Sequence, residues 1–161
     1  MGRAKQTASP DISAAYFHKS FVDKTACVRA STDGVEDPVF RSPLAEISFN
    51  MFQPVQAEEV ALLISSFPNK QCRSDPLPTW VLKECSAQLI PFICRLFNAS
   101  LRAGRVPQSF KSAYVTPLLK KAGVDNSDPK NYRPISNLSV MSKLLERVIL
   151  RRLLEHLKSN G

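Results

Sequence analysis

The sequence predicts an α+β chain that is mainly α-helical: several helices, one small antiparallel β-hairpin and a long closing helix. Three observations predict it. From Pro54 onward apolar residues mostly recur with the 3.6-residue helical period. One run, SAYVTPLLKK from Ser112, alternates instead with a period of two. Between that run and the last helix lies a cluster of turn formers, Gly123, Asn126, Ser127, Asp128 and Pro129.

The elements follow in order. Ser9-Pro10-Asp11 offers a hydroxyl cap, a proline at the first helical position and a carboxylate at the positive end of the dipole, so a helix is expected from there to about Val28. Arg29 to Gln53, with Gly34, Pro38 and Pro43, holds no steady period. Residues 1–53 therefore read as a linker-like N-terminal segment with one helix, and residues 54–161 as the folded part. Val60, Leu63, Ile64 and Phe67 fall on one helical face, giving a helix from Gln56 to Phe67 stopped by Pro68. In SDPLPTW, Pro76 and Pro78 hold the chain extended before a helix from about Pro78 to Ser86, with Trp80 expected in the core.

Another helix is expected from Pro91, with Ile93, Leu96, Phe97 and Leu101 inward and Gly104 closing it in the left-handed conformation. The alternating run is a strand whose Pro117 argues for an edge, and RPIS is its short return partner. The last helix, about Ser139 to Lys158, offers Leu144, Leu145, Val148, Ile149, Leu153, Leu154 and Leu157 for burial and Lys143, Arg147 and Arg151 on another face.

Charge is unevenly placed. The 161 residues carry a formal +8, but residues 1–103 hold 11 Lys+Arg against 10 Asp+Glu, and residues 104–161 hold 11 against 4. A basic half of this kind suits an anionic partner. Cys27, Cys72, Cys85 and Cys94 form no C-x-x-C pair, and with only His18 and His156 to assist them neither a zinc site nor a redox motif is legible, so they read as reduced, mostly buried thiols of an intracellular protein. The opening MGRAKQTASP lacks an apolar signal core, and no stretch approaches the roughly 18–20 apolar residues of a membrane span. A nuclear or cytoplasmic protein is expected, neither secreted nor membrane-bound.

Three stretches in fixed order carry a resemblance: SDPLP, FKSAYVTPLLKK and NYRPIS. With the segments between them, from about Phe52 to Leu157 and more weakly back to YFHKSFVDK, the sequence resembles the N-terminal half of the reverse transcriptase of LINE-type (non-LTR) retrotransposons, of the CR1/L2-like and jockey-like groups. The resemblance implies a helical N-terminal extension leading into the polymerase fingers, a partial fold truncated before the palm. It implies that Lys120 and Arg133, at the feet of the fingers hairpin, meet the incoming triphosphate. Lysine would act there as a compact charge and arginine as a planar fork for phosphate oxygens. Pro134 and Ile135 would form an apolar ledge near the templating base, and Asp75, Pro76 and Leu77 a loop near the RNA template. Lys121, Lys143, Arg147 and Arg151 are candidate nucleic-acid contacts, although composition alone suits solvated charge at all of these lysines and arginines.

No catalytic or metal-binding residue is expected here. The seven aspartates, Asp11, Asp23, Asp33, Asp37, Asp75, Asp125 and Asp128, include no adjacent pair, whereas polymerase chemistry in the complete family needs carboxylates that hold Mg²⁺. Asp75 reads equally as a turn or helix cap. The function implied is part of an RNA-directed DNA polymerase that binds nucleotide and template without catalysing alone, with RNA template and DNA primer as partners in the complete family and weak non-specific nucleic-acid binding here. The alternative is a non-catalytic basic nucleic-acid-binding or protein-interaction module, which would self-associate through apolar surface left uncovered.

Overall fold

The computed structural model describes residues 13–39, 47–69 and 75–160. The elements are α1 (Ala14–Ala30), α2 (Ala57–Ser66), α3 (Thr79–Glu84), α4 (Ser86–Ala103), α5 (Gln108–Lys111), β1 (Ala113–Leu119), a 3-10 turn (Pro129–Asn131), β2 (Tyr132–Leu138) and α6 (Val140–Asn160). The class is the expected one, mainly helical with a two-stranded hairpin and a long C-terminal helix. The chain divides into two compact units, one of residues 1–42 with 115–136 and the other of residues 43–114 with 137–161.

The larger unit holds the apolar core. Val60, Leu63 and Ile64 of α2, Leu82 of α3, Ile93, Phe97 and Leu101 of α4, and Val140, Leu144, Leu145 and Val148 of α6 pack together with Val55 and Phe67. The Asn98 side chain clasps the extended chain ahead of α2, accepting from the Val55 N–H at 2.8 Å and donating to the Val55 carbonyl at 3.0 Å. Gly104 closes α4 at φ +59, where the N–H groups of Gly104 and Arg105 reach back to the carbonyls of Leu101 and Ser100.

Four expectations are corrected here. The helix expected from Pro91 starts at Ser86, with Pro91 inside it; the missing N–H leaves the Ala87 carbonyl unpaired within the helix, and Ala87 is exposed, so water can serve it. Trp80 is 62% exposed, because the short α3 presents Thr79 and Leu82 to the core and turns the next residue outward. Leu96 on α4 and Leu153, Leu154 and Leu157 on α6 are also exposed: periodicity marks a face that could be buried, and burial needs a partner at that height. Cys27 and Cys85 are exposed and Cys94 half-buried, so the thiols described are not mostly buried; Cys72 lies outside the described residues.

In the smaller unit α1 contributes a single buried side chain, Phe17. The entry expected at Ser9-Pro10-Asp11 lies outside the described residues, and Ser13 caps the helix by accepting the Tyr16 N–H at 3.2 Å. Phe17 meets the buried Tyr132 ring edge-on, centroids 4.8 Å apart. Among the described residues no helix is long and apolar enough to cross a membrane.

Candidate functional site

Register decides what the hairpin can present. The Lys120 N–H donates to the Asn131 carbonyl at 2.8 Å, and the two seven-residue strands run to Ala113 and Leu138. Leu119 therefore faces Tyr132, Leu118 faces Arg133, and Pro117 faces Pro134. In this alternation the two prolines share a non-hydrogen-bonded pair, where their missing N–H groups would point away from the partner strand. Two prolines in so short a ribbon are tolerated because they stand opposite each other.

The same register puts Lys120, Leu118 and Thr116 on one face with Asn131, Arg133 and Ile135, and Leu119, Pro117 and Val115 on the other with Tyr132 and Pro134. The second face is the inward one: Tyr132 is buried and Leu119 and Pro117 are half-buried. Lys120 and Arg133 are thus diagonal neighbours on the exposed face. Arg133 makes no ion pair or side-chain hydrogen bond among the described residues, whereas the Lys120 ammonium donates to the Lys130 carbonyl. Pro134, on the inward face, and Ile135, on the outward one, are both exposed but do not share a side of the ribbon.

The segment between the strands is an ordered loop. Asp125 accepts from both the hydroxyl and the N–H of Ser127, at 2.7 and 2.8 Å, and these bonds hold its pKa below the usual carboxylate value. Asp128 accepts the Lys130 N–H at 2.9 Å, the Asn131 amide donates to the Asp125 carbonyl at 3.0 Å, and the Tyr132 hydroxyl donates to the Asn126 carbonyl at 2.9 Å. Gly123 turns the chain at φ +80. The Asp125 and Asp128 carboxylates are engaged in the turn, and among the described residues no group of three or more His, Cys, Asp or Glu comes together.

The other candidates lie in the larger unit. Asp75 accepts the Val140 N–H at 2.6 Å and so caps the first turn of α6 from a distant segment; Pro76 and Leu77 beside it are exposed. On α6, Lys143 is half-buried, the Arg147 guanidinium lies 4.7 Å over the Phe67 ring, and Arg151 meets Glu59 at 3.1 Å. Arg152 takes the larger share of Glu59, at 2.6 Å to one oxygen and 3.2 Å to the other. Sequence reasoning missed this residue, although the signal was there: Arg152 falls four residues after Val148, on the buried face, where a charge demands a partner.

Known proteins supply the context. No family model matches the chain. It is 35% identical over 113 residues to the RNA-directed DNA polymerase from mobile element jockey of Drosophila melanogaster, a match covering 68% of this chain and 12% of that protein. It is 35% identical over 102 residues to a probable RNA-directed DNA polymerase from transposon BS of the same fly, covering 63% of this chain and 11% of the relative. A probable RNA-directed DNA polymerase from transposon X-element, also from that fly, is 26% identical over 151 residues, covering 94% of this chain and 16% of the relative. The chain thus spans between about a ninth and a sixth of the length of these relatives. Its sequence and its motifs together place it in the jockey-like reverse transcriptase family of non-LTR retrotransposons, of which it represents one segment.

Proposed function

We propose that this segment serves an RNA-directed DNA polymerase as its nucleotide-binding fingers, with Arg133 and Lys120 contacting the triphosphate of the incoming nucleotide. The observation that carries the reading is the diagonal placement of these two side chains on the exposed face of the β1–β2 ribbon. Two cations at diagonal positions, roughly 7–8 Å apart at the backbone, repel in the absence of ligand and both gain from an anion between them. Arg133 brings a planar fork for two phosphate oxygens, and Lys120, with one N–H given to Lys130, keeps two for the same target.

Template contact falls in this reading to Lys121 and Lys143, which have no partner among the described residues, with the exposed Pro76, Leu77, Pro134 and Ile135 offering apolar surface. Asp75, beside Pro76 and Leu77, acts as a helix cap. Arg147 and Arg151 contribute less, being shared with Phe67 and Glu59. The 161 residues bind and position; bond formation is not assigned to them. RNA template and DNA primer are the partners this role requires.

The test is titration of the purified chain with a fluorescent deoxynucleoside triphosphate. Arg133→Ala is expected to weaken binding by about 10- to 100-fold, the usual worth of a charge-assisted contact, and Lys120→Ala by less. Equal affinity of Arg133→Ala and the native chain would remove the triphosphate role. Labelled nucleotide incorporated on a primed template above a heat-inactivated control would overturn the assignment of binding without chemistry.

A further inference from the structure

A surface helix ordinarily turns polar side chains to water. On α4 the residues Phe92, Leu96, Ala99 and Ala103, spaced four, three and four apart, form a second apolar stripe, all of it exposed, beside the face that buries Ile93, Phe97 and Leu101. Phe92 is 68% and Leu96 42% exposed. We propose that this stripe docks an acidic amphipathic helix of a partner protein, with carboxylates one heptad apart on Arg95 and Arg102. None of these residues belongs to the triphosphate or template surfaces proposed above.

Spacing and shape select a helix. A repeat of four and three is the seam along which two helices pack, and contiguous exposed apolar surface marks a docking face. The large residues stand in the first half of the seam and the small ones in the second. A partner helix can therefore take Phe92 and Leu96 as anchors and come close to the backbone at Ala99 and Ala103. Ala103 also borders an open groove of about 450 Å³ lined by Met51 and Phe52, which leaves room for the partner's end.

Charge selects the partner. The 18 residues of α4 include no Asp or Glu, and their two charged side chains, Arg95 and Arg102, lie seven residues apart along one edge of the stripe. Neither is in an ion pair among the described residues. A helix with glutamates one heptad apart answers both at once. A second copy of the chain does not: in an antiparallel pair that sets Leu96 against Ala99 of the other copy, the four arginines share one edge of the seam, and in a parallel pair no carboxylate of α4 faces them. Leu96, Ala99 and Ala103 give a nucleic-acid base no ring to stack on.

The experiment is fluorescence anisotropy of the whole chain with a labelled helical peptide of about three heptads, carrying leucines along its seam and glutamates on both edges, which keep it from pairing with itself. A twin carries lysines in place of the glutamates. The acidic peptide is expected to bind at least about tenfold more tightly than its twin. Arg95→Glu with Arg102→Glu should lose the acidic peptide by at least about tenfold and gain the twin, and Phe92→Ala should weaken the acidic peptide by about tenfold. Lys111→Glu with Lys158→Glu, the same change of charge at two exposed lysines outside α4, should stay within about twofold. Bound peptide should slow alkylation of the exposed Cys85, one heptad before Phe92, and leave that of Cys27 on α1 unchanged. Circular dichroism melts check that every variant is folded.

Equal affinity for the two peptides, native affinity in the Arg95/Arg102 glutamate variant, an equal loss in the lysine control, or protection of Cys27 in place of Cys85 would each overturn the docking face. So would displacement of the acidic peptide by oligouridylate as readily as by unlabelled peptide, which would make the stripe a nucleic-acid surface. A dimer in sedimentation equilibrium that Phe92→Ala dissociates would overturn it too, by making the stripe an interface between copies of the chain. Arg133→Ala separates this proposal from the fingers reading: it should keep the acidic peptide whatever it does to triphosphate, and loss of the peptide there would move the binding site off α4.

Discussion

The carboxylate of Asp75 accepts the backbone N–H of Val140 at 2.6 Å, joining the loop before α3 to the first turn of α6 across 65 residues of sequence. A helix begins with unpaired N–H groups and a positive dipole end, and a carboxylate answers both. Asp75→Ala should therefore lower stability by about 2 kcal/mol, while Asp75→Asn, which can still accept, should lose much less. Urea midpoints of the three proteins check this, and an unshifted midpoint for Asp75→Ala would reduce the cap to a crossing without energetic weight.

Arg152 and Glu59 form the best-connected ion pair among the described residues. Their side chains are only 12% and 13% exposed, and the guanidinium also donates to the carbonyls of Gln53 and Pro54 at 3.3 Å. Removing one partner strands a charge in a place water scarcely reaches, so Arg152→Ala is expected to cost about 3 kcal/mol. Arg151→Ala, removing a side chain that is 46% exposed from the same carboxylate, should cost under about 1 kcal/mol. A double-mutant cycle with Glu59→Gln measures the coupling in each case.

Phe17 is the single buried side chain of α1, and it rests on Tyr132. Phe17→Ala should accordingly release α1 while leaving the larger unit folded. Hydrogen exchange would show amide protection falling across 17–30 and unchanged across α4. Tyr132→Phe, which loses one hydrogen bond to the Asn126 carbonyl, should cost about 1 kcal/mol and leave α1 in place.

Burial, then the nearby carboxylates of Glu58 and Glu59, push the Cys94 thiol above its ordinary pKa. Less of it is thiolate at neutral pH, and thiolate is the reactive form. Cys27 and Cys85 are exposed, so both should alkylate with iodoacetamide well before Cys94, by mass-spectrometric peptide mapping.

Asp125 sets a pH dependence at the hairpin tip. The Ser127 hydroxyl, then its N–H, lower the pKa of this carboxylate. A depressed folded-state value means that the turn is supported above the ordinary carboxylate pKa and loses that support as pH falls through the lowered one. Acidification below about pH 4 should quicken exchange of the Ser127 amide. Asp125→Asn should show no such pH step.

The class, the order of the elements and the family were legible from local signals: the 3.6-residue period of Val60 to Phe67, the alternation of Ala113 to Leu119, the left-handed stop at Gly104 and three short motifs. Charge asymmetry was equally legible. Which of the potential faces were used depended on packing. Trp80, Leu153, Leu154 and Leu157 have the chemistry of core residues and stay exposed, since burial is a property of two surfaces and periodicity describes one. Arg152 finds Glu59, Asn98 finds Val55, Asp75 finds Val140 and Phe17 finds Tyr132 across 43 to 115 residues of sequence, distances over which no local pattern carries information. The pairing of Pro117 with Pro134 belongs to the same class: each proline alone argues against a strand, and only their register lets both stand in one, with Lys120 and Arg133 sent together to the outer face.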